Sequence, residues 1–158
     1  AGDAKTTGFN DVAVGYQALS SDTKGQNSVA IGYQALTAQN FTTATNTYNV
    51  AVGRSAGAAV TTGVQNTFIG GLAGDAITTA ANNVAVGKSA LSASSGDNNT
   101  AIGSGALNVT TAANNTAVGK DALGANTTAN DNTAVGSKAL QLNTTGTRGV
   151  GKNAILLN

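Results

Sequence analysis

The chain has 158 residues, and its 41% apolar content is drawn mainly from Ala, Val, Leu and Ile, with 3 Tyr, 3 Phe and no Trp or Met; that supply fills a thin core and excludes a thick one. Charge is sparse at 9%, the net value is +1 and no run of Lys or Arg occurs, which excludes the basic stripe of a nucleic-acid binder. With no Cys and no His, disulfides, thiol nucleophiles, the commonest metal ligands and the side chain best suited to proton transfer near neutral pH are all missing.

The acidic residues are all Asp, a turn former, and the 21 Gly with many Thr and Asn disfavour helix, while the absence of Pro removes one obstacle to strand pairing. No run of about 18 apolar residues occurs, so no membrane insertion is expected in this segment. A chain without Met reads as a processed product or as a piece of something longer.

In chain order, residues 1–9 form a lead-in, and residues 10–158 read as a single repeat domain whose last coil, 147–158, is decayed. The units are NDVAVGYQAL from Asn10, NSVAIGYQAL from Asn27, NVAVGRSAG from Asn49, NTFIGGLAG from Asn66, NVAVGKSAL from Asn83, NTAIGSGAL from Asn99, NTAVGKDAL from Asn115, NTAVGSKAL from Asn132 and RGVGKNAI from Arg148. Their anchor glycines are Gly15, Gly32, Gly53, Gly70, Gly87, Gly103, Gly119, Gly136 and Gly151, a mean spacing of 17 residues. This period is too short for a helical pair or a propeller blade and suits one coil of a β-roll with two short strands and two turns. The predicted fold is therefore an all-β parallel solenoid of about nine coils.

Position by position, the units form columns. Before each glycine stands a β-branched residue: Val14, Ile31, Val52, Ile69, Val86, Ile102, Val118, Val135 and Val150. One place earlier stands Ala, with Phe68 and Gly149 as exceptions, so a branched face alternates with a small one. Three places after the glycine Ala is invariant from Ala18 to Ala154, and the next position is Leu or Ile except at Gly57 and Gly74. The glycine marks the bend between strands, where a positive φ or a close backbone approach excludes a Cβ. Which columns face the interior and which face a neighbouring chain is open at this level. The segments between units keep nearly constant length, as loops returning to the same place must.

NSVAIG at Asn27 to Gly32, with its relatives NDVAVG, NTAIG and NTAVG, resembles the head repeat of YadA-like trimeric autotransporter adhesins, a motif also found in viral and phage tail fibres. The resemblance runs from about Asn10 to Ile155. It implies a left-handed parallel β-roll, three chains side by side, and an extracellular place in the stiff part of a bacterial surface fibre or virion tail fibre that binds cells, matrix or glycans. The repeat here is longer than that family's usual one, so the turns must be longer. Independently, a narrow coil with few large apolar groups buries too little area to offset about 1 kcal/mol or more of ordering cost per residue, which points to a homo-oligomer.

The two residues after each glycine vary most, as an outward face does. Tyr16 and Tyr33 fall on adjacent coils beside Gln17 and Gln34 and form a candidate sugar-stacking ledge. Phe41 and Tyr48, in the long segment between the second and third units, complete the candidate ligand face. GGLAGDAI at Gly70 to Ile77 echoes a calcium-binding roll repeat, but such sites need the motif on successive coils. A glycan-cleaving carboxylate pair of Asp121 with Asp131 or Asp97 has nothing to set its spacing. No catalytic residue, metal or cofactor is expected, and the partners predicted are copies of the chain and a cell-surface glycan or receptor. A purely structural spacer or a self-assembling filament is the competing reading. An ice-binding Thr array is interrupted by Val12, Val29, Val50 and Val84.

Overall fold

A computed structural model describes residues 1–146, so the decayed ninth unit with Val150 and Gly151 lies outside the described residues. Eight strands form one parallel sheet in strict chain order: β1 (Val12–Val14), β3 (Val29–Ile31), β5 (Val50–Val52), β6 (Thr67–Ile69), β7 (Val84–Val86), β8 (Thr100–Ile102), β9 (Thr116–Val118) and β10 (Thr133–Val135). Two-residue strands β2 (Gly25–Gln26) and β4 (Thr45–Asn46) pair separately. Every register joins equivalent positions of successive units, for example Thr116 to Thr133, Ala117 to Ala134 and Val118 to Val135. The described residues form an all-β parallel solenoid of about seven turns with a repeat near 17 residues.

Each described coil carries one three-residue strand where two were predicted, and only the first and second coils add a short second strand, β2 and β4, which pair with each other. The reason is a chain of left-handed backbone positions. In the second coil Asn27, Gly32, Gln34 and Leu36 have φ of 62°, 133°, 57° and 48°, and the equivalent positions of the other coils do the same, for instance Asn82, Gly87, Ser89 and Leu91. Such alternation cannot continue as a pleated strand. Hydrogen bonding still climbs from coil to coil through these corners, as from Gln34 N–H to the Tyr16 carbonyl (2.8 Å) and from Leu36 N–H to the Ala56 carbonyl (3.1 Å). The backbone donors are thus satisfied without a second strand.

The anchor glycines stack directly. A Cβ on Gly15, whose φ is 120°, would stand 2.7 Å from the carbonyl carbon and oxygen of Gly32 on the next coil. Inside, Ala30, Ala51, Ala85, Ala101, Ala117 and Ala134 line the strand wall, the Ala column from Ala18 to Ala139 lines the next, and Leu19, Leu36, Leu91, Leu107, Leu123 and Leu140 fill the middle. Where Leu gives way to Gly57 and Gly74, Phe68 replaces the strand Ala and occupies the space: its ring atoms lie within 2.8 Å of where a Cβ would stand on either glycine. The core is one residue thick and locally compensated.

Candidate functional site

Strand alternation points the central residue of each strand inward and its neighbours outward. The outward pairs are Val12/Val14, Val29/Ile31, Val50/Val52, Thr67/Ile69, Val84/Val86, Thr100/Ile102, Thr116/Val118 and Thr133/Val135. They form a stripe, β-branched throughout and mostly apolar, along the whole sheet. It is left open to solvent: Val14 is 56% exposed, Ile69 41% and Val135 50%. The β-branched column before each glycine is therefore an outer surface, and the interior is filled mainly by Ala and Leu, with Phe68, Val60 and Ile77 among them. A continuous exposed apolar strip of this kind marks an interaction surface.

Beyond the glycine bend lies a second, chemically different surface. Tyr16 and Tyr33 stack with ring centroids 5.4 Å apart and planes 15° apart, and the Arg54 guanidinium lies 5.9 Å from the Tyr33 ring centroid on the next coil. Beside them Gln34 Nε2 donates to Gln17 Oε1 at 2.9 Å. The rings are 65% and 45% exposed and aligned along the stack. The geometry that stacks an aromatic ladder also presents a flat apolar face with a polar edge.

The other two aromatic residues assigned to this face lie elsewhere. Tyr48, with φ of 51°, occupies the corner that leads into β5, at the opposite end of the strand. Phe41 is a correction: it is buried at 7% exposure. Its N–H donates to Asp22 Oδ1 (3.0 Å) and its carbonyl accepts from the Thr23 hydroxyl (2.8 Å) and the Lys24 N–H (3.1 Å). The long segment folds back to close the coil, which turns the ring inward.

A buried polar network, absent from the sequence reading, occupies the first coils. Lys5 of the lead-in reaches inside, with Nζ 2.6 Å from Asp11 Oδ2 and 2.9 Å from Asp22 Oδ2, and donates to the Gly25 carbonyl at 2.6 Å. Gln39 Nε2 donates to Asp22 Oδ2 and to the Ser28 hydroxyl, both at 2.9 Å, and the Ser28 and Thr47 hydroxyls bond to each other. Burial alone pushes the Asp22 carboxyl up. The Phe41 N–H, Lys5, Gln39 and the Gly25 N–H outweigh it, and the net shift is downward from 3.8.

From the third coil this network passes into an asparagine ladder. Asn66 N–H donates to Asn49 Oδ1 (3.0 Å), Asn83 N–H to Asn66 Oδ1 (3.0 Å), Asn99 N–H to Asn83 Oδ1 (2.9 Å), Asn115 N–H to Asn99 Oδ1 (3.0 Å) and Asn132 N–H to Asn115 Oδ1 (3.0 Å). The motif's leading Asn thus occupies two places: Asn10 and Asn27 sit at left-handed corners, whereas Asn49 and its successors are buried. The signal was the constant distance of four residues to the anchor glycine, where Asp11 and Ser28 take the first two coils.

The remaining acidic residues stand apart. Asp121 lies at the corner after Gly119, 3.9 Å from Lys120 Nζ, and Asp131 at the corner before β10, with the length of a strand between the two corners; Asp97 accepts from the Ala81 N–H at 2.8 Å. Asp75, in the calcium-like segment, has its carboxyl raised by burial. Among the described residues no three acidic side chains gather as a metal site, and no helix is long and apolar enough to cross a membrane.

Residues 7–35 and 24–45 match the YadA head domain repeat in two copies. Together with the parallel solenoid geometry this shows that the chain carries a YadA-like head repeat. No curated protein matches the chain, and no solved structure does.

Proposed function

Starting from a chain that carries YadA-like head repeats, we propose that it is an extracellular adhesive fibre segment. Three copies pack side by side through the stripe formed by β1, β3 and β5 to β10, as left-handed rolls of nine coils once the last unit is added. Residues 10–158 act as one repeat domain behind the lead-in 1–9. The observation that carries this reading is the stripe itself: the strands of the long sheet turn their β-branched residues outward and their central residues, mostly alanine, inward. Each outer Val or Ile that is covered gains roughly 25 cal/mol per Å² of buried apolar area. Repeated along eight strands in identical register, this supplies the burial that the thin interior lacks.

Beyond the glycine bend, the Tyr16/Tyr33 ledge with Gln17 and Gln34 is the attachment surface, on a bacterial surface fibre or a virion tail fibre, and it takes a cell-surface glycan or glycosylated receptor. The parts so far described suit display and binding. The test is attachment of the fluorescently labelled protein to cells and to immobilised glycans, with Tyr16→Ala/Tyr33→Ala as the comparison. Both rings are exposed, so the double variant keeps its fold and loses attachment. Attachment that survives the change removes the ledge. A protein that binds nothing, or that forms long filaments by electron microscopy, belongs to the spacer reading instead.

A further inference from the structure

The attachment reading leaves the class of glycan unassigned, and the charge distribution supplies it. We infer that the ridge after the glycine bend binds a linear acidic glycan laid along the stacking axis, an inference that rests on the attachment reading above. The ridge consists of the two positions following each anchor glycine. Among the described residues these positions hold Arg54, Lys88, Lys120 and Lys138, four of the six Lys and Arg, but only Asp121 of the seven Asp. The other described Lys, Lys5 and Lys24, share the rest of the surface and interior with six Asp. A chain that is nearly neutral as a whole has therefore concentrated its cations on one edge.

The placement is regular as well as biased. Arg54, Lys88 and Lys120 stand on alternate coils, separated by Gly71 and Ser104. With about 4.8 Å between stacked coils, they repeat every ~10 Å. All three side chains are exposed. Backbone hydrogen bonds hold the corner in register, as from Leu72 N–H to the Arg54 carbonyl (2.9 Å), Gly105 N–H to the Lys88 carbonyl (3.1 Å) and Lys138 N–H to the Lys120 carbonyl (2.8 Å). A rigid row of cations at this pitch matches a polymer whose carboxylates or sulfates fall on every second sugar. The Tyr16/Tyr33 stack continues the same row at its N-terminal end, so one extended chain can stack a ring on the aromatic faces and pair its anions further along.

Each exposed pair contributes modestly, so affinity arises from the row and falls as salt screens it. Seen from a ligand in solution, a row of one sign also raises the rate of encounter.

The experiment titrates the intact protein, by calorimetry or fluorescence, with a heparin oligosaccharide long enough to span the ridge and with a neutral β-glucan oligosaccharide of the same length. The expected result is binding of heparin, weakened by added salt, with the neutral chain at least tenfold weaker. Lys88→Gln/Lys120→Gln lowers heparin affinity about tenfold, while Lys24→Gln, off the ridge, leaves it unchanged; circular dichroism of each variant confirms the fold. Equal binding of neutral and acidic chains overturns the inference and leaves the glycan-attachment reading standing. Equal loss in Lys24→Gln and the ridge variant also overturns it, since diffuse charge then suffices. Absence of heparin binding in a protein that still attaches to cells through Tyr16 and Tyr33 overturns the inference alone.

Discussion

Phe68 stands where the other described coils have Ala, and a comparison of the repeats alone would predict that Phe68→Ala is harmless or stabilising. The packing predicts the opposite. Phe68 is fully buried and fills the volume left by Gly57 and Gly74, which occupy the Leu column. Truncation to Ala leaves that volume empty and costs about 3–5 kcal/mol, which in a chain of this size lowers the melting temperature by roughly 2–4 °C per kcal/mol. The converse change, Gly74→Leu, is also destabilising by itself, because a Cβ there would stand 2.8 Å from Phe68 Cζ and closer still to Cε1; overpacking of this kind costs about 1–3 kcal/mol. The backbone is no obstacle: Gly74 has φ of 60°, and Leu36 and Leu91 at the equivalent place have 48° and 53°. Phe68→Ala with Gly74→Leu then recreates the arrangement of the other coils. Urea denaturation of the four proteins at one fixed protein concentration gives the cycle, and the expected coupling is about 2 kcal/mol or more in favour of the double variant. Costs that add to within about 0.5 kcal/mol would refute the compensation.

Two further perturbations address the polar interior. Asn83→Ala removes the acceptor of the buried Asn99 N–H, at 2.9 Å, and an orphaned buried donor costs about 1–3 kcal/mol; chemical denaturation should show that loss, and hydrogen exchange should speed up at Asn99. Asp22 has a folded pKa below its unfolded 3.8, so its contribution is complete above 3.8 and is lost as pH falls through the folded value. Asp22→Asn takes one of two carboxylates from the buried Lys5, which keeps Asp11 and the Gly25 carbonyl, and costs about 1–3 kcal/mol at neutral pH. Its melting temperature should approach that of the unaltered protein as the pH drops well below 3.8, and a gap that stays constant with pH would contradict the assigned ion pair.

The coil register is legible in the sequence because stacking imposes identical demands on every coil: the anchor glycines approach one another too closely for a Cβ, and the two Ala columns face a wall one residue away. The direction of the strand faces was not legible, since Val–Ala–Val alternates equally well with either set inside and bulk alone favours burying Val. The missing second strand was hidden because Leu19, Gln34 and Ser55 adopt left-handed angles that their residue types rarely take. At the candidate ledge the stacking of Tyr16 on Tyr33 follows from the 17-residue spacing. The burial of Phe41 does not, because it depends on a loop closing over Asp22, and the Lys5 network joins residues from three separate segments.

The central claim is that the exposed β-branched stripe is covered by two further copies of the chain, and the mass in solution by light scattering behind a size-exclusion column tests it most directly. The expected mass is near three times 15.3 kDa, falling to that of one chain when Ile69→Lys and Val86→Lys place charges in the middle of the stripe; a protein that remains at 15.3 kDa at every concentration would contradict the trimer.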